Sequence, residues 1–290
     1  MTAASLEFSR LPSATALYVR AALARPKGLK GNATIPRIAA RVPKVRPDPA
    51  QVAGYRKVCG FVDNGRLPPT FPHILAAPLH LAVLTHPEFP LKLLGAVHVR
   101  NSVQQHRPIQ PDEALDVRVF TEGHEAVDAG IEFRLETRIH DSRGECIWES
   151  TSTNLVRGGG KRKKPSAPWT PPDFSDYREA AHWSAPADIG RRYGRLAGDL
   201  NPIHLYAVTA RLFGFPRAIA HGMWSFARCA AETTKNLPVG PLAIDTAFKR
   251  PVLLPSECFL LVRGNGAGQE FHLVNRDRQT VYLNGNIKAG

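Results

Sequence analysis

Met223-Trp224-Ser225-Phe226-Ala227-Arg228-Cys229-Ala230-Ala231-Glu232 is the stretch that decides the fold. It is apolar on nearly every face, so a helix built from it must be buried. The residues that follow supply its cover. Leu242 to Lys249, Glu257 to Arg263, Glu270 to Asn275 and Thr280 to Ile287 alternate or run apolar at strand length. That order predicts one buried helix wrapped by an antiparallel sheet.

The same order occurs earlier in the chain. Phe71-Pro72-His73-Ile74-Leu75-Ala76-Ala77-Pro78 matches Phe215-Pro216-Arg217-Ala218-Ile219-Ala220-His221-Gly222 without a gap, which places Pro78 opposite Gly222. Tyr55 to Gly60 echoes Tyr193 to Gly198, and Arg107-Pro108-Ile109 echoes Arg250-Pro251-Val252. Ala96 to Val103, Ala114 to Thr121, Ala129 to Ile139 and Cys146 to Leu155 read as the strands of the earlier unit. The expected class is α+β, a double hot-dog of two repeats. The expected division is a basic N-terminal arm over 1–44, a first hot-dog over 45–157, a Gly/Pro-rich basic linker over 158–175 and a second hot-dog over 176–290.

A chain of 290 residues with 43% apolar composition has enough material for such cores. No window of eighteen apolar residues exists, so no membrane span is expected. Cys59, Cys146, Cys229 and Cys258 form no Cys-x-x-Cys pair and read as reduced core residues of a cytoplasmic protein. Net charge is +13, concentrated from Arg10 to Arg46 and in Lys161-Arg162-Lys163-Lys164. Neither stretch interleaves aromatics, so no nucleic-acid partner is expected. The arm lacks the apolar core of an export signal and reads as an amphipathic helix packed on the body, followed by a Pro-rich segment. No His/Asp/Glu cluster has metal-ligand spacing and no glycine-rich nucleotide loop follows a strand, so no cofactor or metal is expected.

The chemistry-bearing stretch is Gly198-Asp199-Leu200-Asn201-Pro202-Ile203-His204. Pro202 suits the first position of a helix with Asn201 as its cap, which bends the chain so that Asp199 and His204 converge. The helix is expected from Pro202 to Phe213, with Gly214 as its stop. Gly222 opens the buried helix, where a backbone N–H reinforced by the helix dipole can meet an oxygen that gains negative charge.

Through Tyr193, Gly198-Asp199, Asn201-Pro202-Ile203-His204 and Ala220-His221-Gly222-Met223, the sequence resembles the MaoC-like hydratases and dehydratases, which include the R-specific enoyl-CoA hydratases. Asp48-Pro49-Ala50-Gln51-Val52, Gly95-Ala96-Val97-His98, Ala210-Arg211-Leu212-Phe213-Gly214-Phe215-Pro216 and Lys249-Arg250-Pro251-Val252-Leu253-Leu254-Pro255 are most similar to the double hot-dog dehydratases of 3-hydroxyacyl thioesters in bacterial lipid synthesis. That resemblance covers about residues 45 to 290. It implies reversible addition of water to a trans-2-enoyl thioester of coenzyme A or acyl carrier protein. Asp199 and His204 would grip the water, Asn201 would orient the carboxylate or the turn, and the Gly222 N–H would receive the thioester oxygen. Either Asp199 or His204 can be the base in this reading. Pro78 has no N–H, and the first half has Phe61-Val62-Asp63-Asn64-Gly65-Arg66 instead of the reactive turn, so one active site per chain is expected, in the second half.

His221 and Met223 are expected beside the substrate, His221 bracing the loop through a backbone contact. Arg217, Lys249 and Arg250 flank the presumed entrance and are candidates for phosphate contacts. His73, His80, His98 and His106 read as packed or exposed groups without chemical partners. A hot-dog acyl-thioesterase and a non-enzymatic basic binding module are the alternatives, and monomer and homodimer both stay open.

Overall fold

The computed structural model of the chain describes residues 4–24, 26, 28–29, 33–93, 95–157, 170, 172–266 and 268–290. Its elements begin with β1 (Ala4–Glu7), α1 (Ala14–Leu23), β2 (Ile38–Val45), α2 (Pro49–Cys59) and α3 (Pro72–Leu84). Strands β3 (Val97–Gln105), β4 (Leu115–Val127), β5 (Gly130–His140) and β6 (Cys146–Arg157) complete the first half. The second half has β7 (Arg178–Ala185), α4 (Ile189–Ala197), a 3-10 turn (Pro202–His204), α5 (Ala207–Arg211) and α6 (Gly222–Thr234). It ends with β8 (Leu242–Phe248), β9 (Ser256–Asn265), β10 (Gly268–Val274) and β11 (Val281–Ala289).

These strands form one eleven-stranded sheet in the order β1-β2-β4-β5-β6-β3-β8-β11-β10-β9-β7. The repeat is visible in that order: β2-β4-β5-β6-β3 in one half mirrors β7-β9-β10-β11-β8 in the other. The halves meet where β3 pairs antiparallel with β8, Asn101 opposite Thr246 and Val103 opposite Ile244. The structure is therefore a double hot-dog, and its buried helices are α3 and α6. Ten of the thirteen residues of α3 are buried. In α6 the inward residues include Trp224, Phe226 and Cys229.

One continuous hydrophobic cluster runs through both halves. The helices that precede the central ones also cross the divide. The Gln51 side chain donates to the Leu196 carbonyl at 2.6 Å, and the Trp224 indole N–H donates to the Val58 carbonyl at 3.0 Å. Such cross-bonds satisfy carbonyls at the ends of α2 and α4 that no intrahelical donor reaches.

Three sequence expectations change. Residues 38–44, assigned to the arm, belong to β2 and pair with β4, inside the first sheet. The strand is Ala- and Pro-containing, with Lys44 at φ 56° in a register shift between Val42 and Val45, so its strand propensity is weak. The gapless repeat alignment also fails: Pro78 lies inside α3, whereas Pro72 and Gly222 each begin a helix. Backbone bonds give the proper correspondence, because Leu67 N–H donates to Ile109 exactly as Ala220 N–H donates to Val252, each at 2.9 Å. Finally, the helix expected from Pro202 to Phe213 is broken at Tyr206, which is extended at φ −144° and ψ 152°. The Leu205 carbonyl there receives Arg191 Nη1 at 2.8 Å in place of a helical N–H.

The arm does contain a packed helix, α1, whose Leu17 sits against Leu81 and Ala82 of α3. Its later arginines are bonded to the body: Arg37 to Glu122, Arg41 to Asp116 and Arg46 to the Asp112 carbonyl. Most of the expected linker, including Lys161 to Lys164, lies outside the described residues. No helix among the described residues is long and apolar enough to cross a membrane.

Candidate active site

The reactive turn lies directly on α4. A Cβ on Gly190 would fall 1.9 Å from the His204 carbonyl oxygen, and one on Gly194 would fall 2.6 Å from that of Asp199. Only glycine permits this approach, and the two glycines are one helical turn apart on the same face. α4 ends at Gly198 in the left-handed region (φ 66°), and the Asp199 N–H returns to the Gly194 carbonyl at 3.1 Å. Asn201 then works twice. Its N–H donates to Asp199 Oδ1 at 3.1 Å, and its side-chain oxygen caps the 3-10 turn by accepting from the Ile203 N–H at 3.4 Å.

The turn brings Asp199 and His204 together beside His221. One carboxylate oxygen and one nitrogen of each imidazole lie within 4.8 Å of one another. The two imidazoles stack, with centroids 3.7 Å apart. His204 Nδ1 donates to the Ile219 carbonyl at 2.9 Å, a bond that leaves Nε2 of the neutral ring as an acceptor. His221 Nε2 donates to the Asp199 backbone carbonyl at 3.3 Å and lies 3.5 Å from Oδ2, so it braces the loop and faces the carboxylate.

Burial opposes the charge on Asp199, but His221 and His204 beside it, together with hydrogen bonds from Tyr18 and Asn201, hold its pKa below the ordinary carboxylate value. Burial lowers His204 more than Asp199 raises it, and pushes His221 down to about 3. At neutral pH the site therefore presents a carboxylate and two neutral imidazoles.

Tyr18 is the residue that sequence reasoning missed. It projects from α1, and its O–H donates to Asp199 Oδ1 at 2.6 Å. Nothing in the local pattern marks it: its neighbours Leu17 and Ala21 supply the buried stripe of α1, and the partner carboxylate is 181 positions away.

These groups open on a cavity of about 500 Å³ lined from both halves. Asn201, His221, Gly222, Met223, Lys249 and Arg250 all contribute to its wall. Gly222 is the first residue of α6, where an N–H has no intrahelical acceptor. A Cβ there would meet the Phe248 ring at 3.1 Å. Arg217 does not join them; it is exposed and donates to the Pro255 carbonyl at 3.3 Å. The earlier histidines are packed or exposed as expected, but two have partners: His73, His80 and His98 line the cavity, His80 bonding Thr137, and exposed His106 pairs with Glu149 at 3.0 Å. Apart from the site itself, His106, Cys146 and Glu149 are the only described groups close enough to share a metal ion, and Arg138 already approaches that Glu149 at 3.6 Å.

Two hot-dog units share one cavity, with an acid and two imidazoles at the head of one buried helix. The family profile described as MaoC like domain matches residues 163–281. The 3-hydroxyacyl-thioester dehydratase X of Mycobacterium tuberculosis is 30% identical over 284 residues, covering 96% of this chain and 99% of the relative. The enoyl-CoA hydratase ChsH3 of the same organism is 29% identical over 172 residues, 57% of this chain and 58% of the relative. The crystal structure of HtdX from M. tuberculosis superposes with a TM-score of 0.76 at 29% identity, over 87% of this chain and all of that one. The chain belongs to the MaoC-like dehydratase family and is a hydro-lyase.

The buried imidazoles make folding pH-dependent. His73 is lowered by burial to about 4, and His98 and His221 to about 3, from an ordinary 6.5. Between pH 6.5 and about 4 the unfolded chain binds protons that the folded chain refuses, so stability falls on acidification, by at most roughly 1.4 kcal/mol per pH unit for each histidine. Urea midpoints at pH 7, 6 and 5 should decrease in that order, and His98→Phe should flatten the trend.

Proposed function

We propose that the protein catalyses reversible hydration of trans-2-enoyl thioesters to (R)-3-hydroxyacyl thioesters, with Asp199 and His204 sharing the reacting water. The observation that supports this most directly is their convergence on the cavity wall beside the first N–H of α6. Water donates one hydrogen bond to Asp199 and the other to His204 Nε2. As its oxygen bonds to C3, the electrons of the C2–C3 double bond move toward the thioester carbonyl, and the developing enolate oxygen meets the Gly222 N–H. The proton lost by water returns at C2, so hydration consumes one water and no other reactant. Dehydration is the reverse.

Asn201 holds the carboxylate through its backbone and the turn through its side chain. His221 braces the loop, and Met223 forms wall next to the donor. Tyr18 is a positioning residue that keeps Oδ1 occupied and leaves Oδ2 toward His221 and the water. The earlier half contributes cavity wall. Its own central helix begins at Pro72, which has no N–H to offer. Lys249 and Arg250, exposed at the cavity, are placed to meet phosphates of coenzyme A or of a carrier protein's phosphopantetheine arm.

Crotonyl-CoA distinguishes this reaction from thioester hydrolysis: enoyl absorbance should disappear without release of free thiol, and thiol release would identify a thioesterase instead. Asp199→Asn and His204→Ala should each lower kcat by about a hundred-fold or more; near-normal turnover in either folded variant would exclude the shared-water mechanism. Tyr18→Phe removes a bond that favours the ionised carboxylate, so the acid limb of its kcat/KM profile should move to higher pH. Lys249→Glu combined with Arg250→Glu should raise KM for the thioester and leave kcat nearly unchanged.

A further inference from the structure

Three imidazoles outside the reactive cluster line the same cavity: His73 and His80 from α3, and His98 from β3. They form a line that starts at the donor glycine. The Phe248 ring lies against Gly222, 3.1 Å from where a Cβ would stand, and its centroid is 5.0 Å from that of His98. His98 stacks on His73 at 6.2 Å, His73 meets His80 at 4.9 Å, and His80 Nε2 bonds Thr137 Oγ1 at 2.8 Å. Leu84, Leu93 and Leu135 line the same cavity in this half. Ring contacts thus connect the start of α6 with three polar rings of the earlier repeat, all in the wall of one cavity.

Hydrogen bonding among these rings is incomplete. His73 Nδ1 and His98 Nε2 are buried without a partner. Burial keeps all three rings neutral, lowering His73 to about 4, His98 to about 3 and His80 well below its ordinary value. A plain hydrocarbon chain needs only apolar wall, and buried polar atoms without partners destabilise a fold. The three rings carry no charge, and neutral donors and acceptors suit a neutral oxygen function.

We propose that His73, His80 and His98 form a polar subsite for a hydroxyl or keto oxygen on the acyl chain beyond C3, making oxygenated acyl thioesters the preferred substrates. This rests on the thioester reading above. Calorimetric titration tests it without turnover, using saturated octanoyl-CoA and its 5-hydroxy, 5-keto, 7-hydroxy and 7-keto analogues. At least one oxygenated chain should bind the wild-type protein about tenfold tighter than the plain chain. His73→Phe and His98→Phe should abolish that preference and bind the plain chain at least as tightly as wild type, which also shows that they are folded. His80→Phe provides a third variant. Equal affinity of the wild-type protein for plain and oxygenated chains would overturn the subsite, as would a preference that survives all three substitutions. If none of the five thioesters binds, the thioester reading itself is wrong and the subsite falls with it.

Discussion

The site depends on the absence of two side chains. The Asp199–His204 turn rests on α4 so closely that its carbonyl oxygens occupy the places where Gly190 and Gly194 would otherwise carry Cβ atoms. Any larger residue would lift the turn away from the helix, and Asp199 and His204 are held by that turn rather than by contact with each other. The glycines therefore set the distance between carboxylate and imidazole, and through it the proximity of both to the start of α6. Backbone bonds add direction: the Ile219 carbonyl selects the tautomer of His204, and the Asn201 N–H aims the carboxylate.

The repeat explains why one cavity is lined from both halves. Both halves build the same wrapped helix, and β3–β8 pairing fuses their sheets, so a single cavity extends along the two central helices. Near α6 its wall has an acid, two imidazoles and a glycine N–H. Beside α3 the corresponding helix start is a proline, and the polar side chains of that half in the cavity wall are His73, His80, His98, Ser152, Asn154 and Arg157, with no carboxylate among them. The two halves thus bring different polar groups to one cavity. α1 completes the arrangement by reaching across from the arm to place Tyr18 on Asp199.

Much of this was legible before any coordinates. Eight strands and the buried helix follow from apolar alternation and run length, because each faces a core that the pattern anticipates; their ends differ by only a few residues. β1, β2 and β7 were not anticipated. β2 and β7 are rich in alanine and charge, β1 is only four residues long, and all three become strands because a neighbouring strand offers them backbone partners. The repeat was recognised, yet its register was misplaced by a Phe-Pro pair that occurs in both halves at different structural positions. In the second half that pair precedes an extended segment whose Ile219 bridges to Leu253; in the first it stands at the helix start itself.

By itself, the sequence determined the double architecture and where the candidate site would gather: periodicity records which faces avoid water, and Asp199, Asn201, Pro202, His204 and Gly222 fall within one short region. Tertiary structure alone decided that Tyr18 reaches Asp199, that His73, His80 and His98 line the same cavity, and that Arg217 stays outside it. Those relations join positions far apart along the chain, and local pattern holds no term for a contact created only when the two sheets close over their helices.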